Sequence, residues 1–227
     1  MGPDARVAVY YAPQPNDELS AAAASWLGRD AAGDAAVPQP AIDGLSDVTA
    51  EPRVYGFHAT LKPPMRLAAE CTWDDVVTSA TIVASGIAPF ELPRLSVQDV
   101  SGFLALRETT PSMPLQALAD ACVEQLDPLR APPTAAELAR RRRSSLTHRQ
   151  DTMLARWGYP YVFDTWFFHM TLTRRLTAAE KQAFMPAAQA HFAAAIAAPR
   201  MVSDLCLFVQ PSPGAPFVIR QRLKLRG

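Results

Sequence analysis

Two short stretches of this chain share one frame, Phe57-His58-Ala59-Thr60-Leu61 and Phe168-His169-Met170-Thr171-Leu172. Each sets an imidazole and a hydroxyl two residues apart. In an extended segment alternate side chains share a face, so each motif offers its histidine and threonine together, about 7 Å apart along the strand. Phe57, Ala59 and Leu61 are then expected on the opposite, buried face, as are Phe168, Met170 and Leu172 in the second copy. Two imidazoles suit acid–base chemistry near neutral pH, because one can take a proton while the other gives one. Two hydroxyls suit an oxyanion, since they can donate to the non-bridging oxygens of a phosphate as charge builds there. Together these are the parts for breaking a phosphodiester. The chain has only four histidines, so two in one repeated frame argue against coincidence.

A zinc site is the obvious rival for paired histidines. Neither motif has a second histidine or a carboxylate at i+2 or i+4, the spacing zinc favours, so neither a metal nor a cofactor is expected. The chain also carries no P-loop, no G-x-G-x-x-G and no serine nucleophile elbow. Weaker candidates surround the motifs. Lys62 shares the predicted face of His58, where it either adds positive charge or stands as a solvated strand-end lysine. Thr173 continues the face of His169 and Thr171. Tyr10, alternating with Ala8, either enters a groove or packs in the core. Arg220, Arg222 and Lys224 fall on one face of a C-terminal strand, where they line the groove or guard an edge against aggregation. The run Arg140–Arg143 wraps all round a helix, which fits a solvated helix better than an RNA platform. His148 and His191 read as surface histidines.

These residues need elements to position them. Residues 6–11 read as a strand, and Asn16 as the cap of a helix with Leu19, Ala23, Trp26 and Leu27 at helical spacing. Residues 30–50 mix Gly, Pro and Asp without a period, as a lid or a plain surface loop would. After the first motif, Thr72-Trp73-Asp74-Asp75 opens a helix to about Ser85, and strands follow at 87–98 and 102–108. After the second, Thr177-Ala178-Ala179-Glu180 opens a helix to about Ala197, and strands follow at 200–210 and 216–225. The order strand, helix, hairpin therefore occurs twice. It predicts one domain of two related lobes, lobe 1 at about 6–110 and lobe 2 at about 111–227. Between them lie a helix from about Pro114 and a helical insert at about 132–158. Two capping boxes in the insert, Thr134-x-x-Glu137 and Thr147-x-x-Gln150, predict two short helices broken near Ser144-Ser145.

Composition sets outer bounds. In 227 residues, 49% hydrophobic content is ample for a core, and Lys+Arg balance Asp+Glu at 22 each. No global field draws the molecule to nucleic acid or a membrane, so any basic site must be local. Cys71, Cys122 and Cys206 are far apart without C-x-x-C spacing and read as reduced core thiols. The first residues lack the pattern of a signal peptide and no stretch of 18 apolar residues follows, so a cytoplasmic protein with no membrane partner is expected.

With both motifs in place, the chain resembles the 2H phosphoesterase superfamily, named for two His-x-Thr/Ser motifs on strands of two pseudo-symmetric lobes. More narrowly, "RVYGFHATLKPPMRLA", "WLGRD", "TAAELARRRR", "RWGYPYVF" and "FHMTLT" resemble the branch of phosphonate-metabolism proteins associated with carbon–phosphorus lyase genes. The resemblance spans nearly the whole chain. It implies an α+β fold of two pseudo-symmetric lobes of antiparallel sheet with flanking helices around a central groove. It also implies metal-free catalysis and functional roles for His58, Thr60, His169 and Thr171; the resemblance does not fix the substrate, and a small phosphorylated sugar or nucleotide is expected. Within the superfamily, RNA 2',3'-cyclic phosphate processing and 2',5'-ligase-like activity are alternatives, with RNA as partner. A non-catalytic module that binds a nucleotide or RNA end would keep the same groove. For the phosphonate branch the expected substrate is 5-phosphoribosyl 1,2-cyclic phosphate. Its second phosphate would need a cation, from Lys62 or from Arg220, Arg222 and Lys224.

Overall fold

Val7, Val9 and Tyr11 alternate with Ala8 and Tyr10 along the first strand, and both sets are apolar, so this strand must be covered on both faces. The structure, a computed structural model, describes residues 2 and 4–227. The chain runs through β1 (Arg6–Tyr11), α1 (Glu18–Leu27), a small hairpin of β2 (Arg29–Asp30) and β3 (Ala35–Ala36), α2 (Leu45–Val48) and α3 (Ala50–Tyr55) into β4 (Ala59–Met65). Next come α4 (Trp73–Ser85), β5 (Phe90–Leu92), the hairpin β6 (Leu95–Val100) and β7 (Phe103–Glu108), and α5 (Met113–Leu126). The insert holds α6 (Ala135–Arg142) and α7 (His148–Trp157), and the last part β8 (Met170–Thr171), α8 (Ala178–Phe192), β9 (Arg200–Val202), β10 (Asp204–Gln210) and β11 (Val218–Lys224).

Seven strands form one antiparallel sheet in the order β11-β10-β1-β4-β8-β7-β6. The strand–helix–hairpin order recurs, but each hairpin joins the half of the sheet that holds the other copy's motif strand. The C-terminal hairpin β10–β11 extends the sheet on the β4 side through β1, while β6–β7 extends it on the β8 side. Each half of the sheet therefore draws on both halves of the chain, and the point near residue 110 does not divide it.

Helices α1, α4, α5 and α8 cover one face, burying residues such as Trp26, Ala80, Leu118 and Phe192 against Val7, Val9 and Tyr11 of β1. On the other face Ala8 and Tyr10 join a smaller cluster with Phe208 and Phe217, and the rest of that face is open groove. The capping boxes form as read: Thr72 with Asp75, Thr134 with Glu137, Thr147 with Gln150 and Thr177 with Glu180 each exchange reciprocal bonds at a helix start. Local differences have local causes. Asp17, not Asn16, caps α1, its carboxylate accepting from Leu19 N at 2.8 Å. The strand expected at 87–98 breaks around Pro93, which has no N–H for a ladder, and β5 pairs with β9 in a separate two-stranded sheet. Helix α8 ends at Phe192, short of Ala197.

The segment at 30–50 is tied down. Gln39 Nε2 donates to Trp26 O (2.6 Å) and to Thr49 Oγ1 (3.0 Å), and Arg53 Nε donates to Leu27 O (2.6 Å). The segment leads through α2 into α3, whose Glu51 and Tyr55 form one wall of the groove. The three cysteines are free, Cys122 and Cys206 buried and Cys71 half-buried. Among the described residues no helix is long and apolar enough to cross a membrane.

Candidate active site

Strands β4 and β8 lie side by side at the middle of the sheet, with Ala59 paired to Met170. Antiparallel register then sets His58 opposite Thr171 and Thr60 opposite His169. Each histidine faces the other motif's threonine about 5 Å away, and the two imidazoles stand on the diagonal, about 7–8 Å apart at the backbone. That spacing admits a phosphate between them. All four side chains line one groove of about 730 Å³. The intervening residues go where alternation sends them: Phe57, Ala59, Leu61, Phe168, Met170 and Leu172 are buried in the core.

Both imidazoles are held in the same way. His58 Nδ1 lies 2.8 Å from Gly56 O and His169 Nδ1 lies 3.2 Å from Phe167 O, in each case the carbonyl two residues back. A carbonyl only accepts, so Nδ1 carries the proton and Nε2 keeps the free lone pair. Gly56 has φ of 74°, and a Cβ there would stand 2.5 Å from Ala31 Cβ, so only glycine lets the chain turn this carbonyl onto His58. An aromatic ring packs on each imidazole: Tyr10 on His58 at 3.7 Å and 18°, Phe167 on His169 at 4.7 Å and 29°. Trp166 Nε1 donates to Thr60 O at 2.8 Å, joining the approach to the second motif to the first.

This enclosure sets the protonation states. Burial pushes the His58 pKa down to about 4, aided by the nearby His169 and opposed by the Gly56 hydrogen bond. Burial lowers His169 too, aided by Arg107 and opposed by the Phe167 carbonyl. Both rings are thus neutral until an anion arrives. Arg107 also fixes the second motif by position: its Nε donates to Phe168 O at 3.2 Å and its guanidinium lies 5.2 Å over the Phe167 ring.

The other sequence candidates divide. Tyr10 lines the groove against His58. Thr173 lines it as well, although only 1% exposed, and its Oγ1 accepts from Leu104 N at 3.0 Å, which ties the second motif to β7. Lys62 does not reach the groove. The β1–β4 register slips between the pairs Tyr10–Thr60 and Val9–Lys62, so Leu61 is an extra residue and the alternation breaks there. Lys62, 1% exposed, turns to the helical side, where Nζ donates to Val123 O (3.1 Å) and pairs with Asp127 (2.8 Å). Arg220, Arg222 and Lys224 do not line the groove either, because β11 is the edge strand, three places from β4. Arg222 instead donates to Pro13 O (2.8 Å) and pairs with buried Asp204 (3.3 Å), as does Lys224 (3.5 Å), while Arg220 is exposed. His148 is exposed as read; His191 is half-buried, its Nε2 2.8 Å from Ala22 O.

The groove takes its positive charge from other residues. Among the described residues, Arg6, Arg140, Arg141, Arg174 and Arg175 line it beside a single carboxylate, Glu51. One of the five was legible: Arg6 has the parity of Ala8 and Tyr10, the face of β1 that reaches the groove. Nothing in the run Arg140–Arg143 tells which of its members a distant strand will meet. Among the described residues no group of three or more His, Cys, Asp or Glu side chains is placed to hold a metal ion.

Comparison with known proteins extends these observations. The model of the family described as "Protein of unknown function (DUF1045)" matches residues 60–218. A protein of Janthinobacterium sp. (strain Marseille), named ribose 1,5-bisphosphate phosphokinase PhnN, is 40% identical over 231 residues, which cover 98% of this chain and 51% of that protein. The chain spans about half the length of the curated relatives it matches. Among solved structures, TT0787 of Thermus thermophilus is similar in fold, with a TM-score of 0.50 at 15% identity over 98% of each chain. E. coli LigT complexed with 3'-AMP aligns over 100% of both chains at 14% identity and a TM-score of 0.47.

Proposed function

This chain belongs to the DUF1045 family, and we propose that it is a phosphodiesterase of the 2H type that opens a small cyclic phosphodiester without a metal ion. The observation that supports this most is the cross-strand array of His58, Thr60, His169 and Thr171 in one groove, with both Nε2 atoms free. The substrate phosphate sits between the motifs, and the threonine hydroxyls donate to its non-bridging oxygens. His58, whose pKa is driven down to about 4, is the ring that stays unprotonated near neutral pH, so its Nε2 lone pair is available as the base. Its Nε2 takes a proton from water as the water oxygen bonds to phosphorus. The phosphorus–oxygen bond to the sugar breaks, and the departing oxygen takes the proton of His169 Nε2. His169 must be protonated beforehand, and the anionic substrate favours that state by raising its pKa. One water is consumed, one P–O bond breaks, and exchange with solvent restores both rings.

The name of the curated relatives supports a ribose ring as the substrate. Their name carries ribose 1,5-bisphosphate, and breaking the bond from phosphorus to O2 of 5-phosphoribosyl 1,2-cyclic phosphate yields that compound. Ring opening here would supply the compound in the relatives' name, in keeping with the phosphonate-breakdown branch that the chain resembles. The phosphokinase activity is not assigned to this chain, which carries no G-x-x-x-x-G-K-[ST] loop.

Substitution of the array tests this reading. His58→Ala and His169→Ala should fold and each lose about 10²- to 10⁴-fold in kcat/KM, with the double variant little worse because the pair acts as a unit. Thr60→Val and Thr171→Val should lose less, about 10- to 100-fold, the worth of one hydrogen bond to a charged group. Near-wild-type turnover by either histidine variant would overturn the mechanism.

A further inference from the structure

Of the five arginines that line the groove, Arg174 is neutralised by Asp47 and by Glu180 (3.0 Å). The other four have no carboxylate partner among the described residues; Arg175 donates to Ser101 O, while Arg6, Arg140 and Arg141 stand together. All three line both the groove and an adjoining recess of about 40 Å³ beside α6. Among the described residues the recess has one acid, Glu137, and Arg66 already pairs with it at 3.2 Å.

Two of these guanidinium groups are held rigidly by neutral contacts. Arg6 Nε donates to Gln210 Oε1 at 2.7 Å, Gln210 Nε2 donates in turn to Ala215 O at 2.7 Å, and the guanidinium lies 5.3 Å over the Phe217 ring. Arg141 lies 4.6 Å over the Tyr159 ring, half-buried rather than extended into water. Arg140, the neighbouring residue on α6, is exposed at the rim. Stacked guanidinium groups keep their outer N–H donors free and lose little entropy when they bind an anion. Leaving such cations partly desolvated and unpaired is costly, and an anion bound between them removes that cost. The cluster is also close to the chemistry. Burial pushes the Tyr10 phenol up, while Arg6 and Arg141 act on it in the opposite sense, and the Tyr10 ring lies on His58.

We infer that Arg6, Arg140 and Arg141 form a second anion subsite, which holds a phosphomonoester group of the substrate that the reaction does not touch. The inference rests on the phosphodiesterase reading above and specifies it: the preferred substrate carries two phosphates, one cyclised between the histidines and one terminal beside α6. Binding energy from the terminal group then orients the reacting ring.

Two measurements test this, one of them independent of turnover. In the first, kcat/KM is compared for ribose 1,2-cyclic phosphate with and without a 5-phosphate. Arg6→Met and Arg141→Met should each lower the ratio between the two substrates about 10- to 100-fold, the worth of a charge-assisted bond. A ratio that stays at its wild-type value while both rates fall would overturn the subsite. In the second, ribose 5-phosphate is titrated calorimetrically into the wild type, Arg141→Met and the double variant His58→Ala/His169→Ala. Binding should weaken at least about tenfold in Arg141→Met and persist in the histidine double variant. Binding that survives Arg141→Met but is lost with the histidines would place the phosphate elsewhere and overturn the subsite. Because the titration needs no catalysis, failure to open any cyclic phosphate would refute the phosphodiesterase reading while the titration still decides the subsite. Both variants lie on the groove surface, and a thermal midpoint measured beside each titration confirms folding.

Discussion

Without substrate His58 and His169 are held neutral because burial in the groove lowers both pKa values, against the pull of the carbonyls that orient them. This has a consequence for stability that does not depend on substrate. The folded pKa of His58 is about 4, against an ordinary value near 6.5. Between these values the unfolded chain binds a proton that the folded chain refuses, so the contribution is intact above about pH 6.5 and is lost as pH falls through about 4. Urea unfolding from pH 7 to pH 4 should show a smaller loss of stability in His58→Gln than in the wild type, by up to about 3 kcal/mol. Equal losses in both would mean that His58 is not held neutral. At this scale the array was legible in the sequence, because a two-residue period fixes which side chains share a face. Tyr10 was legible for the same reason. Lys62 was not, since the extra residue at Leu61 is a property of pairing with β1 and leaves no mark on β4's own pattern.

The elements show the same division between local and non-local information. Every capping box read from four consecutive residues is present, because its two hydrogen bonds close within one turn of helix. Strand order is set by contacts between distant segments, so both hairpins could be read while the exchange of their positions could not. The same contacts carry Lys62 away from the groove and into an ion pair with Asp127, which Arg130 also neutralises at 2.8 Å. Burial lowers the Lys62 pKa to about 8, against the pull of Asp127. A lysine buried at this cost is replaceable when its partner keeps another cation. Lys62→Met should therefore change stability by no more than about 1 kcal/mol and leave kcat/KM for the cyclic phosphate at the wild-type level. A folded Lys62→Met protein with a hundredfold loss of turnover would put Lys62 back at the phosphate.

Across the whole molecule the formal charge is zero, yet among the described residues one groove gathers five arginines against one glutamate. Overall composition excluded a global field and left a local one to be found by folding, since Arg6, Arg140 and Arg174 come from distant parts of the chain. The groove lies where the motif strands meet, flanked by both hairpins, so its positive charge is gathered at the centre of the sheet. On the proposed function, this groove opens a cyclic phosphate by acid–base chemistry of its own side chains. Phosphorus NMR of 5-phosphoribosyl 1,2-cyclic phosphate, incubated with the protein in excess chelator, tests it most directly. The expected result is conversion to ribose 1,5-bisphosphate at an undiminished rate, with kcat/KM above that for nucleoside 2',3'-cyclic phosphates. An unopened ring, or opening that stops with the chelator and resumes when a divalent metal is restored, would contradict it.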